Sequence, residues 1–368
     1  MTMIKRRKTR QIRIGDMKVG GSAPISIQSM TNTDTANVEA TISQIKRLEK
    51  AGCEIVRVAV KNLDDAGAIR LIKRKIKIPL VADIHFDYRL ALKSIQSGAD
   101  KIRLNPGNIR KKDEIGQVIK AAKRARIPIR IGVNSGSIHV SPQSAVHGPQ
   151  SIVNSALKYI RLFESMEFRD IIISLKSSDV VSTVESYRQI AKRCDYPLHL
   201  GVTATGPYDS GIVKSSIGIG SLLLGGIGDT IRVSLTADPV NEVFAAKRIL
   251  SSINLRRFGP DIISCPTCGR CQVDLIGIVS NLEKELYAPP SLFGLRRTSI
   301  RYTLNAKRPL TIAVMGCEVN GPGEAREADI GIAFGKGSGI LFKKGKILKK
   351  VSEKTAISEL LKLITYNL

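Results

Sequence analysis

The feature that most constrains this chain is a unit repeated eight times along its first two-thirds, a short β-rich run followed by a segment with helical spacing of apolar residues. The runs are Pro24–Met30, Ile55–Val60, Pro79–His85, Lys101–Pro106, Pro128–Asn134, Asp170–Lys176, Pro197–Thr203 and Thr230–Leu235. Between them lie segments such as Val38 to Ala51 and Asp179 to Arg193, whose apolar residues recur at helical intervals. Strands that alternate with helices form parallel sheets, and eight such units predict a closed (β/α)8 barrel. An open doubly wound sheet is the plainer alternative, but it rarely carries eight units this regular. Ahead of the barrel, Gln11 to Val19 reads as a small hairpin turning at Gly15-Asp16.

Near Arg256 to Pro260 the repeat stops. A cysteine cluster follows, then a helix from Asp274 to about Leu286, strands at Leu310–Met315 and Asp329–Phe334, a hairpin around Gly345 and a helix from Lys354 to Ile364. The expected class is therefore α/β, an N-terminal TIM barrel (1–258) with a smaller C-terminal α+β domain (259–368). Residues 287–309, rich in Arg, Pro, Ser and Thr, show no period and read as a loop.

Composition narrows the function classes. Hydrophobic residues make up 43% of the 368, which excludes wholesale disorder. The longest weakly polar stretch, Ile217 to Gly228, is too short for a membrane span, and no apolar signal stretch follows the basic N-terminus. A soluble, cytoplasmic protein is expected. The chain has 58 Lys and Arg against 32 Asp and Glu, a net charge of +26. Its basic residues are scattered as short pairs, such as Lys111-Lys112, Lys343-Lys344 and Lys349-Lys350, without aromatic stacking runs or a recognition motif. No nucleic acid is expected as partner; the charge would attract acidic proteins and anionic substrates.

In such a barrel the C-terminal strand ends build the active site. Here they carry Gln28-Ser29-Met30, Arg57, Asp83 and His85, Arg103 and Asn105, Arg130 and Asn134, Lys176, and Arg232 and Ser234. Cations inside apolar strands are costly to bury unpaired. Any one of them could pair with a barrel carboxylate, but Asp83 is the only acid in the set and cannot neutralise four arginines and a lysine. A ligand with several negative charges is expected, and guanidinium planarity suits phosphate oxygens. Asp83 and His85, two apart in a strand, share a face, which makes His85 a candidate catalytic group.

The other constellation is Cys265-Pro266-Thr267-Cys268-Gly269-Arg270-Cys271, a C-x2-C-x2-C run, with Cys317 far downstream. Six cysteines with this spacing do not suggest a disulfide framework. A structural zinc site would need a second close pair, and no histidine follows His199. Thiolates at this spacing suit an iron–sulfur cluster, and spacing alone allows all four of these cysteines to ligate a [4Fe–4S] cluster that only carries electrons. Cys53 and Cys194 read as core residues.

With CPTCGR and GCEVNGPGEA added to SIQSMTNTDT, VADIHF, RLNPGNI, RIGVNSGS and GIGDTIRVSL, the chain resembles, over essentially its whole length, the 4-hydroxy-3-methylbut-2-enyl diphosphate synthase family of the methylerythritol phosphate route to isoprenoids. The resemblance implies an oxidoreductase with a TIM barrel followed by an iron–sulfur domain. The implied reaction is two-electron reductive opening of 2-C-methyl-D-erythritol 2,4-cyclodiphosphate to the linear allylic diphosphate. By motif match it implies Cys265, Cys268, Cys317 and Glu324 as cluster ligands, Glu324 being displaceable. It agrees with Arg57, Arg103, Arg130, Lys176, Arg232 and Ser234 holding the diphosphate. Asn105, Asn134 and Asp83 would orient the carbon skeleton, with His85 nearby and Asn320 able to touch cluster or substrate. It also implies a flavodoxin or ferredoxin as acidic electron donor, and a homodimer in which one subunit's cluster domain covers the other's barrel mouth.

Three departures stand out. Cys271 follows CPTCGR where a non-ligand is expected; it is either a passive thiol or a competitor of Glu324. The family pattern GVTEAG reads Gly201-Val202-Thr203-Ala204-Thr205-Gly206, so a carboxylate near the substrate is replaced by a methyl. The stretch between Cys268 and Cys317 is also longer than the family leads one to expect.

Overall fold

In the computed structural model, the described residues are 4–105, 108–109, 111–137, 148–287, 310–317, 323 and 325–365. They form two compact units, Met1–Arg256 and Arg257–Leu368.

The first unit is the barrel. Its strands are β3 (Ser26–Met30), β4 (Ile55–Val60), β5 (Leu80–Ile84), β6 (Lys101–Leu104), β7 (Ile129–Asn134), β8 (Ile171–Lys176), β9 (His199–Leu200) and β10 (Thr230–Ile231). They pair in parallel in the order β8-β7-β6-β5-β4-β3-β10-β9, and a bridge between Ile173 and Leu198 joins the two ends of the sheet. All eight anticipated units are present. The last two strands are shorter than the sequence suggests because side chains take over their backbone partners. Asp229 Oδ2 accepts from Leu198 N, and Glu242 Oε1 from Leu235 N. Arg232 and Ser234 therefore stand just beyond β10 rather than within a strand.

Local chemistry sets the helices. Asn37, Asn62, Asp87, Asp179 and Asp238 each cap the N-terminus of the helix they precede by accepting a backbone N–H. Each cap is worth about 1 kcal/mol. The expected hairpin exists as β1 (Ile12–Ile14) and β2 (Met17–Val19). Its Ile12, Ile14 and Val19 pack on Ile55, Val81 and Ile172 inside the barrel, plugging the end opposite the C-terminal strand ends. Each buried side chain of that size contributes roughly 1.5–3 kcal/mol. The basic N-terminus is bound into this unit. Arg6 pairs with Asp229, and Arg7 donates to the carbonyls of Cys194 and Tyr196.

The second unit is a five-stranded mixed sheet in the order β11 (Asp261–Ser264), β12 (Thr311–Met315), β13 (Ile330–Gly335), β14 (Ser338–Lys343) and β15 (Lys346–Ser352). The first three strands are parallel and the last three antiparallel. Helix α9 (Leu275–Tyr287) and the closing helix Glu353–Thr365 bury Leu275, Leu282, Leu360 and Ile364 against Ile312, Val314, Ile332 and Phe334. β11 was not expected from the sequence. It is an edge strand with only two apolar residues, too short to show alternation, and β12 supplies its register. The expected loop 287–309 lies, from residue 288 on, outside the described residues. No helix among the described residues is long and apolar enough to cross a membrane.

Candidate functional site

At the C-terminal ends of the barrel strands, Asp83 is the hub. It is almost fully buried, with Arg103 Nη1 at 3.0 Å from Oδ1, and Arg57 Nε at 3.7 Å and His85 Nε2 at 3.4 Å from Oδ2. Strand register explains the meeting, since Asp83 stands opposite Arg103, and Arg103 opposite Arg130. Burial by itself would raise the Asp83 pKa. Arg57 and Arg103, helped by the His85 contact, reverse this and hold the carboxyl well below the usual range. Arg103 also donates to Gly132 O at 3.3 Å and lies 3.2 Å from His85 Nε2. His85 itself is half-exposed, and Phe86 beside it is largely exposed.

A second acid, which the sequence reading did not supply, comes from the helix after β10. Glu242 on α8 (Pro239–Ser252) accepts from Arg232 Nε and Nη2, both at 3.2 Å, and from Ser29 Oγ at 3.0 Å. The expectation of a single carboxylate is thus corrected. A helix residue ten positions after Arg232 folds back onto it, and strand-end reading does not see helix residues. Met30 Sδ lies between two guanidiniums, 3.0 Å from Arg57 Nε and 3.7 Å from Arg232 Nη1.

Two carboxylates still leave the site strongly positive. Burial, with Arg232 and Arg103 nearby, pushes Arg57 down to about 10 despite Asp83. Arg130 is 1% exposed, and its Nε and Nη1 have no hydrogen-bond partner among the described residues. Burial first, then Arg57 and Arg103, lowers its pKa as well. Lys176 ends β8 buried, with its pKa driven down by desolvation and then by Arg130 and Arg57. A Cβ on residue 201 would lie 2.6 Å from the Arg232 carbonyl oxygen and 2.7 Å from Lys176 Nζ, and because the carbonyl is backbone, only glycine leaves room there. Lys101, which the strand-end reading passed over, is wholly buried with Nζ 3.3 Å from Gln28 Oε1. Its signal was available: it shares parity with Arg103 two residues on.

Asn105 is buried just after β6 and its carbonyl accepts from Asn108 N, while Asn134 ends β7. Ser234 accepts through its carbonyl from Thr205 Oγ1. Ala204, where the family pattern has Glu, is exposed after β9 in a left-handed conformation, φ 52°. His199 lies inside the barrel as a buried imidazole, Nδ1 3.4 Å from Thr230 Oγ1. Burial and Arg130, Lys176 and Lys101 keep it neutral.

In the second unit, β11 and β12 run in parallel with Ser264 opposite Val314, so Cys265 and Gly316-Cys317 leave the sheet at one end. Gly316 N donates to Cys265 Sγ at 3.3 Å. Cys271 turns back through its N–H to Cys268 O, and Gln272 N reaches Gly316 O. A Cβ on residue 316 would lie 2.4 Å from Cys271 Sγ and 3.5 Å from Cys265 Sγ, so the missing side chain lets both sulfurs approach. No disulfide consumes these thiols. Among the described residues, no three donors already close round one point at metal spacing. The donor set nonetheless fits an iron–sulfur group, with soft sulfurs gathered at one sheet end and a backbone N–H already directed at one of them. Glu324 and Asn320 lie outside the described residues. Cys53 is buried in the barrel with its thiol on Ile55 O, and Cys194 bonds Ile190 O.

Comparison with known proteins agrees with both units. Residues 9–247 match the model of the GcpE TIM-barrel domain, and residues 261–366 that of the GcpE protein C-terminal domain. The chain is 55% identical over 365 residues to the 4-hydroxy-3-methylbut-2-en-1-yl diphosphate synthase (flavodoxin) of Caldanaerobacter subterraneus subsp. tengcongensis, covering 98% of both. To the synthase of the same name from Fusobacterium nucleatum subsp. nucleatum it is 54% identical over 364 residues, again 98% of both. A solved HPPK-DHPS structure from Plasmodium falciparum is similar in fold alone, with TM-score 0.50 and 13% identity over 67% of this chain and 50% of that one.

Proposed function

The chain belongs to the GcpE family of 4-hydroxy-3-methylbut-2-en-1-yl diphosphate synthases, and from that membership we propose how its two units divide the work. The enzyme is an oxidoreductase of isoprenoid biosynthesis. The barrel binds 2-C-methyl-D-erythritol 2,4-cyclodiphosphate, and two-electron reductive ring opening yields 4-hydroxy-3-methylbut-2-enyl diphosphate and water. The single observation that carries this reading is the charge imbalance in the barrel. Among the described residues, Arg57, Lys101, Arg103, Arg130, Lys176 and Arg232 face Asp83 and Glu242 alone, and two Arg130 nitrogens have no hydrogen-bond partner.

The residues then take distinct roles. Asp83 holds Arg57, Arg103 and His85 in place, and Glu242 does the same for Arg232. Arg130 and Lys176 offer the least compensated charge to the diphosphate, with Arg57, Arg103, Arg232 and Ser234 completing its shell. Asn105 and Asn134 orient the carbon skeleton, and half-exposed His85 is placed to hold or pass a proton at it. Fixed guanidiniums cost no reorganisation when charge shifts toward the leaving oxygen.

In this reading Cys265, Cys268, Cys317 and Glu324 hold a [4Fe–4S] cluster, with Asn320 close by. When bound, that group supplies single electrons and a Lewis-acidic iron. Cys271 packs beside Cys265 without being one of the four. An acidic flavodoxin, named in the relatives, or a ferredoxin would dock on the basic surface as donor. The homodimer belongs to the same proposal, with the partner subunit supplying the cluster domain.

The test is anaerobic reconstitution followed by EPR and Mössbauer spectroscopy of wild type, Glu324→Ala and Cys271→Ser, with and without cyclodiphosphate. One distinct iron that responds to substrate and to Glu324→Ala is the expected result. A spectrum indifferent to both but altered by Cys271→Ser would mean a closed four-cysteine cluster, and the chain would be an electron carrier.

A further inference from the structure

Beneath the cations assigned to the substrate lies a polar layer that ring opening leaves unused. Lys101 on β6 is completely buried and stands about 6.6 Å along the strand from Arg103, on the same inward face. Among the described residues its Nζ has one acceptor, Gln28 Oε1 on β3 at 3.3 Å. Gln28 Nε2, His199 Nε2 and two Arg130 nitrogens are buried without hydrogen-bond partners among the described residues. An ammonium with one neutral amide for partner and guanidiniums for neighbours is costly, and a barrel that needed only filling would be more stable with Met or Leu there.

We propose that Lys101 is a positioning residue for the diphosphate, a concealed cation behind Arg130 whose charge is switched on by the bound anion. The proposal rests on reading the barrel mouth as a diphosphate site. The groups around Lys101 explain the coupling. Arg130 from β7 and Arg57 from β4 oppose its charge, after burial itself, and together they hold its pKa well below the usual lysine value. His199 from β9 is neutral, and Gln28 from β3 carries no charge. Asp83 on β5 is occupied by Arg57 and Arg103, and Lys176 on β8 is itself pushed down by the same guanidiniums. Without an anion, no carboxylate among the described residues pairs with an ammonium at 101. A diphosphate on Arg130 brings that compensation, Lys101 takes up a proton, and Arg130 is held toward the ligand by the charge behind it. By reciprocity, an anion that favours the protonated lysine binds more weakly as the pH rises.

The experiment is calorimetric titration of inorganic pyrophosphate into the full-length protein in buffers of differing ionisation enthalpy, which counts protons taken up. Wild type is expected to take up about one proton more than Lys101→Met, pyrophosphate's own protonation cancelling in the difference, and to bind about tenfold more tightly near neutral pH. Lys101→Gln, which keeps a polar group at the position, is expected to lose the same proton and so guards against misfolding of the Met variant. Equal proton counts in wild type and both variants overturn the role of Lys101 and leave the diphosphate site standing. No pyrophosphate binding to wild type, or binding indifferent to Arg130→Ala, overturns the site reading and this proposal with it.

Discussion

The barrel and the C-terminal unit build their sites in opposite ways. In the barrel, the functional groups sit mostly on or just after strands, many of them buried, and several are tied to a residue of another element: Arg103 to Asp83 on the next strand, Arg232 to Glu242 on α8, Lys101 to Gln28 on β3. The C-terminal unit places its thiols on the segments that follow β11 and β12, with Cys268 exposed and Cys265 held by one backbone N–H. The two also use ion pairs differently. Asp83 is held down by buried guanidiniums, whereas Glu359 is pulled to about 2 by hydrogen bonds from surface Lys349 and Lys362. The barrel thus concentrates buried positive charge against few carboxylates, while the second unit gathers its sulfurs at one end of a sheet.

The largest effect should come from separating the two. Cys265→Ser should abolish turnover while leaving pyrophosphate binding to the barrel intact. Mixing it with Arg130→Ala should restore about one quarter of wild-type activity if each site combines two subunits, because half the molecules become heterodimers with one good site. No recovery after subunit exchange would show that each chain works alone.

Within the barrel, supporting and binding residues should part company. Asp83→Asn leaves Arg57 and Arg103 buried without their anion and should cost about 3–5 kcal/mol in urea unfolding. Because the carboxyl is depressed in the folded state, its contribution is present in full above about pH 4 and is lost only as the pH falls through the folded value. Wild type should therefore resist acid further than the variant does. Arg130→Ala should instead lower kcat/KM by about 10²–10³-fold, chiefly through KM, with folding stability unchanged or increased. A destabilised Arg130→Ala protein with normal KM would place Arg130 among the supports. Ala204→Glu returns the family carboxylate and should raise turnover about tenfold. A neutral or slower variant would mean that this site has adapted to the methyl. The smallest effect is expected on the C-terminal surface, where Glu359→Gln should shift the unfolding midpoint slightly at low salt and not at all at high salt.

Most of the fold was legible in the chain. Eight alternating units, the Gly15-Asp16 turn and the closing helix all follow from local period and turn chemistry, which neighbouring residues decide among themselves. The cationic character of the strand ends was legible too, because arginines stand out in otherwise apolar strands. The edge strand β11 was not legible, since two apolar residues carry no period and only pairing with β12 makes them a strand.

By itself, then, the sequence determined a barrel with a cationic mouth, a cysteine-bearing second unit and the family to which they belong. The tertiary structure alone decided which charges are compensated. Glu242 reaches Arg232 and Ser29, Met30 meets Arg232 across 202 residues, and Lys101 finds Gln28 across 73. Such pairings depend on strand register and on how the sheet closes, quantities that no local window contains. At these distances an ångström separates a satisfied buried charge from an unsatisfied one.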